Sequence, residues 1–118
     1  MGWDLVPALA AASVMVLFGI GAALKPESLV MVGVSADSPL GTSEIRVVFG
    51  GMFVALGVAC IVTRDPLVFA TVGAAWFADA AVRLVSTVID RVPLRQATAV
   101  LATALAMGSA LLSGYWLA

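Results

Sequence analysis

Four stretches of this chain run for about 20 residues almost without charge, the length an α-helix needs to cross the roughly 30 Å hydrocarbon core of a bilayer. They cover residues 5–24, about 45–63, 66–89 and 97–118. The apolar residues are continuous instead of alternating, which argues against a β-barrel, and the abundance of alanine favours helix. The four spans take up nearly the whole chain, so a single four-helix transmembrane domain over residues 1–118 is expected, all-α and integral to the membrane.

Composition agrees. Of 118 residues, 63% are apolar and 11% charged, against the roughly 25% charge of soluble domains. Seven acids, six bases and no histidine give a net charge of −1, without the basic excess of a nucleic-acid binder. The start, Met1-Gly2-Trp3-Asp4, lacks the basic region of a signal peptide, so helix one is expected to be retained. Cys60 stands alone among apolar neighbours and is expected to be a small packing residue.

The links carry further information. Arg64-Asp65-Pro66 predicts a tight turn with Pro66 opening helix three. Between helices one and two, residues 26–34 predict a short interfacial helix, opened by Pro26 and followed by a loop over residues 35–43 with Pro39 and Gly41 as breakers. Lys25, Arg91 and Arg95 fall on the side opposite the termini, with Arg46 close by, while Arg64 lies on the terminal side. The excess of basic residues predicts termini outside and the longer connections in the cytoplasm. Trp3, Tyr115 and Trp116 would then form an aromatic belt at the terminal face.

Small residues recur every fourth position at Ala102, Ala106, Ala110 and Gly114, and at Gly51, Ala55 and Ala59. Such stripes let helices approach closely in lipid, either inside one four-helix bundle or in a homo-oligomer.

Three charges break the apolar pattern. Asp79 and Arg83 lie within helix three, acid first and four residues apart, the favoured order for an ion pair on a helix. At 1.5 Å per residue they sit about 15 Å and about 9 Å from the helix end at Ile89. Trp76, Ser86 and Asp90 continue their face. Arg46 shares a face with Gly50, Phe53 and Gly57, and Glu44 lies at the rim as a first-turn acid. Two arrangements fit these residues. One is an ion-pair network that fixes helix register, with Arg46 reaching for the headgroups. The other is a pocket, apolar in its depth and polar at its mouth, with Asp79 and Glu44 as acids between the two arginines.

The run of Lys25-Pro26, Gly33-Val34, Ser43-Glu44-Ile45-Arg46, Phe49-Gly50-Gly51 and Gly57, with Arg83-Leu84 and Pro93 later, resembles a bacterial domain-of-unknown-function family of small four-helix membrane proteins, distantly similar to DoxX-like proteins. The resemblance implies a bacterial inner-membrane location, a four-helix bundle and Glu44, Arg46, Gly50, Gly51 and Arg83 as signature positions. It implies no particular activity. Similar proteins often carry an acid in the last helix, which here has none, so Asp79 is expected to substitute as the partner of Arg83.

Catalysis is not expected. There is no histidine, the cysteine is apolar-flanked, and carboxylates beside arginines make a poor metal site, so neither cofactor nor metal is implied. The expected role is a binding or accessory one. The chain would hold a lipid, quinone or other hydrophobic molecule, or serve as a small subunit or assembly factor of a membrane complex. The alternative is an oligomeric small-solute or ion transporter.

Overall fold

The computed structural model describes residues 5–32 and 37–117. Five α-helices, numbered α1 to α5, lie at Val6–Leu24, Pro39–Glu44, Phe53–Thr63, Pro66–Ile89 and Leu94–Trp116. A 3-10 helix occupies Pro26–Val32 and a π-helix Ile45–Met52. α2, the π-helix and α3 run on without interruption as one 25-residue helix, Pro39–Thr63. The protein is therefore all-α, and four of its helices are long and apolar enough to cross a membrane.

The second long helix begins six residues earlier than the sequence suggests. Pro39 starts it instead of breaking a loop. Its ring fixes φ for the first helical position, and the Ser38 hydroxyl accepts a hydrogen bond from Gly41 N at 3.0 Å as the N-cap. The expected loop over residues 35–43 is thus helix from Pro39, while residues 33–36 fall outside those described. The short helix before them forms at Pro26–Val32, but as a 3-10 helix. Three residues per turn stack Pro26 above Leu29, and both are buried.

Helix three of the sequence reading, now α4, matches its expected bounds. Asp65 caps it by accepting from Leu67 N at 2.8 Å, and Pro66 takes the first turn. Its C-terminus closes in a Schellman arrangement, with Val92 N donating to Thr87 O at 3.3 Å. The residue inside that turn, Arg91, takes a left-handed φ of 54°, and Arg64 at the other end of α4 takes 49°. Glycine is the usual choice at both places. α5 begins at Leu94, three residues before expected, with Pro93 as its N-cap.

The chain divides into two compact units, Met1–Ala11 with Arg64–Ala118, and Ala12–Thr63. In the first, α4 and α5 pack antiparallel through glycines. A Cβ on Gly73 would lie 3.1 Å from Gly108 O, and one on Gly114 would lie 2.6 Å from the ring of the fully buried Phe69. The buried residues of α5 are Ala97, Ala104, Gly108, Leu111 and Gly114. Of the expected stripe, only Gly114 belongs to this seam. Ala110 is half-buried, while Ala102 and Ala106 are exposed. Tyr115 and Trp116 at the end of α5 are exposed and meet edge to face at 5.7 Å, and Trp3 lies outside the described residues.

In the second unit, α1 packs on the second long helix. Cβ atoms on Gly19, Gly50 and Gly57 would come within 2.8 Å of Gly50 O, 2.8 Å of Ala23 Cβ and 2.7 Å of Ala12 O respectively. The seam therefore uses Gly50 and Gly57, not the expected Gly51, Ala55 and Ala59. Gly51 and Ala55 are exposed and Ala59 is half-buried. Ala22, Leu29 and Ile45 form a small core with Phe18 and Phe49. Phe53 joins it, its ring 5.7 Å from Phe18 and 5.9 Å from Phe49.

Candidate functional site

The seven residues singled out for a charge cluster divide between the units. Glu44, Arg46, Gly50 and Gly51 belong to Ala12–Thr63, and Trp76, Asp79 and Arg83 to the other.

On α4, the polar stripe forms as the spacing predicts. Arg83 Nε donates to Asp79 Oδ1, closing the ion pair within one helix. One turn on, the Ser86 hydroxyl donates to Asp90 Oδ2, and the Thr87 hydroxyl donates to Arg83 O at 2.7 Å. Trp76 is half-buried on the same side. The Arg83 and Asp79 side chains are 40% and 31% exposed. The pair is thus neutralised locally while remaining open to whatever surrounds the helix. The expected i,i+4 pairing of Asp79 with Arg83 is what the geometry displays.

Arg46 behaves differently. Its guanidinium Nη1 donates to Ala23 O at 2.5 Å. Ala23 stands in the last turn of α1, where carbonyls have no partner within the helix and carry its negative dipole end. Arg46 therefore caps α1 from the neighbouring helix. The glycines on its expected face do not leave room beside it: Gly50 and Gly57 are filled by α1. Gly51 is open, with only Arg46 O at 4.0 Å from its virtual Cβ, so packing does not require glycine there. Glu44 is the last residue of α2, past the first turn of a helix that starts at Pro39, so its expected first-turn position is corrected. It is exposed, and Asp79, the other acid expected between the arginines, pairs instead with Arg83 of its own helix.

The feature missed from sequence is the π-helix at Ile45–Met52. Most π segments are single turns with i→i+5 bonds, and they are frequent at functional sites. Here the departure covers the Arg46 and Gly50-Gly51 positions. Among the described residues no group of acids and cysteines is placed to hold a metal ion. Compared with family models, curated proteins and solved structures, the chain matches none.

Proposed function

We propose that this protein is a non-enzymatic binding or accessory protein of a bacterial inner membrane, and that the polar stripe of α4 receives a polar group from outside the chain. One observation carries this reading: the Asp79–Arg83 pair stays 31% and 40% exposed inside a helix apolar enough to span the bilayer. A charged group that meets hydrocarbon near the centre of a span costs about 3 kcal/mol, and a polar occupant relieves that cost. The occupant is the head of a lipid, quinone or other hydrophobic molecule, or a polar side chain of a larger membrane complex in which the chain is a small subunit or assembly factor. The DoxX-like kinship belongs to the same proposal and rests on Glu44-Ile45-Arg46, Phe49-Gly50-Gly51 and Arg83-Leu84. So does the orientation with termini outside, which rests on Lys25, Arg91 and Arg95.

Native mass spectrometry of the protein released gently from its own membrane tests the proposal. The wild type is expected to carry either a small molecule or a larger assembly. The double variant Asp79→Met with Arg83→Met, which removes both charges together, is expected to insert and lose that species. Retention of the same species in the double variant would overturn the stripe as its site. A bare protein that conducts ions in proteoliposomes would replace binding with transport.

A further inference from the structure

Arg83 points away from the headgroups. α4 has 24 residues, about 36 Å of helix against a hydrocarbon core of about 30 Å. With the overhang shared between its ends, the Arg83 backbone lies about 6 Å below the polar boundary and that of Asp79 about 12 Å. A lone arginine at such a depth extends its stem outward to the headgroups. Here Nε donates instead to Asp79 Oδ1, one turn nearer the bilayer centre, while Asp90 at the helix end takes the Ser86 hydroxyl. The pair is neutral as a unit, and among the described residues Asp79 is the only acceptor the guanidinium meets. A guanidinium has more N–H donors than one carboxylate engages, so donors are left over. With the Arg83 side chain 40% exposed, they are open to an occupant. Trp76, one turn before Asp79, adds half-buried aromatic surface close to the middle of the span.

We infer that the stripe takes an uncharged amphipathic molecule whose head is a flat, conjugated carbonyl group, and not the phosphate of a lipid. The inference rests on the reading of the stripe as a binding site and narrows it. Charge is the first argument. The site already balances its own charge, so a phosphate would bring an uncompensated negative charge into hydrocarbon. A carbonyl oxygen accepts from the spare N–H donors and leaves the sum at zero. Depth is the second. A lipid phosphate lies at headgroup level, and an arginine turned inward to Asp79 does not rise to meet it. An uncharged head on an apolar tail enters the hydrocarbon without that obstacle. Shape is the third, since a guanidinium plane and an indole both offer flat faces for stacking.

The test titrates the full chain, in uncharged dodecyl maltoside micelles, with decylubiquinone and separately with dodecyl phosphate. The readout is the protein remaining soluble after heating. Decylubiquinone is expected to protect the wild type at a concentration about a hundredfold lower than dodecyl phosphate, the ratio set by the cost of a charge in a span. Asp79→Asn keeps an acceptor for Arg83 Nε but removes the negative charge, so the order is expected to reverse in favour of the phosphate. The double variant Asp79→Met with Arg83→Met is expected to lose both responses. A wild type that prefers the phosphate, answers both equally or ignores decylubiquinone would overturn the uncharged head alone, because the stripe itself is judged by the species retained in native mass spectrometry. Protection by decylubiquinone that persists in the double variant would place binding elsewhere and overturn both. Should the double variant fail to fold, Asp79→Asn carries the test, and an unchanged preference in it would overturn the inference.

Discussion

The two units solve the same problem, a charge within an apolar helix pair, in different ways. On α4, Arg83 has an acid four residues before it, and the pair closes inside a regular α-helix. Arg46 has Thr42 and Gly50 at those spacings and Ser43 and Phe49 at three, none of them acidic. Its partner must come from elsewhere, and it is the unsatisfied carbonyl end of α1. The backbone around Arg46 is a π-helix, and Ile45 beside it is in the core with Ala22 and Leu29. The lesson is that an acid at i−4 satisfies Arg83 within its own helix, whereas Arg46, without one, is satisfied by a carbonyl of the neighbouring helix.

The sharpest way to break this contrast is to make Arg83 resemble Arg46. Asp79→Ala leaves Arg83 without its acid, and an expected loss of about 3 kcal/mol should appear in unfolding from mixed micelles. The Asp79→Met, Arg83→Met double variant should recover the greater part of it, because both charges leave together. If the single and double variants lose the same amount, local neutralisation is not what keeps α4 regular.

Next in size are the glycine seams. Gly57→Ala puts a methyl 2.7 Å from Ala12 O, a backbone atom, and should cost about 2 kcal/mol. Gly73→Ala meets Gly108 O at 3.1 Å and should cost less, about 1 kcal/mol. Thermal midpoints in one detergent rank the two, and the opposite ranking would show that the α4–α5 seam is the less yielding. On α5, Ala104→Leu enters a site 1% exposed and should cost about 2 kcal/mol, whereas exposed Ala106→Leu should stay within about 0.5 kcal/mol. The smallest effect belongs to Gly51. Gly51→Ala should stabilise the second long helix by about 0.5 kcal/mol, while its neighbour Gly50→Ala should destabilise it.

Which parts of this were legible in the sequence follows from what each signal depends on. Spans were legible because they need only length and hydropathy. The bounds of α4 were legible because Asp65-Pro66 is a local chemical signal. The Asp79–Arg83 pair was legible because both partners lie on one helix. The packing faces were not. In lipid, seam and outer surface are both apolar, so Ala102 and Ala106 look as suitable as Ala104 and Gly108. The Gly51 stripe missed the true one by a single residue, which on a helix is about 100°. Pro39 carried two meanings, loop breaker and helix opener, and the Ser38 hydroxyl decided between them. The π turn was hidden because every face was projected with one fixed α period, which left the buried Ile45 out of the packing face.

The left-handed arginines at the two ends of α4 have a mechanical consequence. Arg64 and Arg91 each occupy a backbone position where their own φ, 49° and 54°, holds them in the turn. The 24 residues between Pro66 and Ile89 are about 36 Å long against a hydrocarbon core of about 30 Å. Both guanidinium groups therefore have the reach to rest among headgroups, one in each leaflet, joined by a rod of fixed length. Such a rod resists sliding along the bilayer normal in either direction, since each slide would draw one arginine into hydrocarbon. A thinner bilayer is met by tilt instead. α4, the helix that carries the accessible ion pair, would hold Asp79 and Arg83 at a nearly constant depth as the surrounding membrane changes.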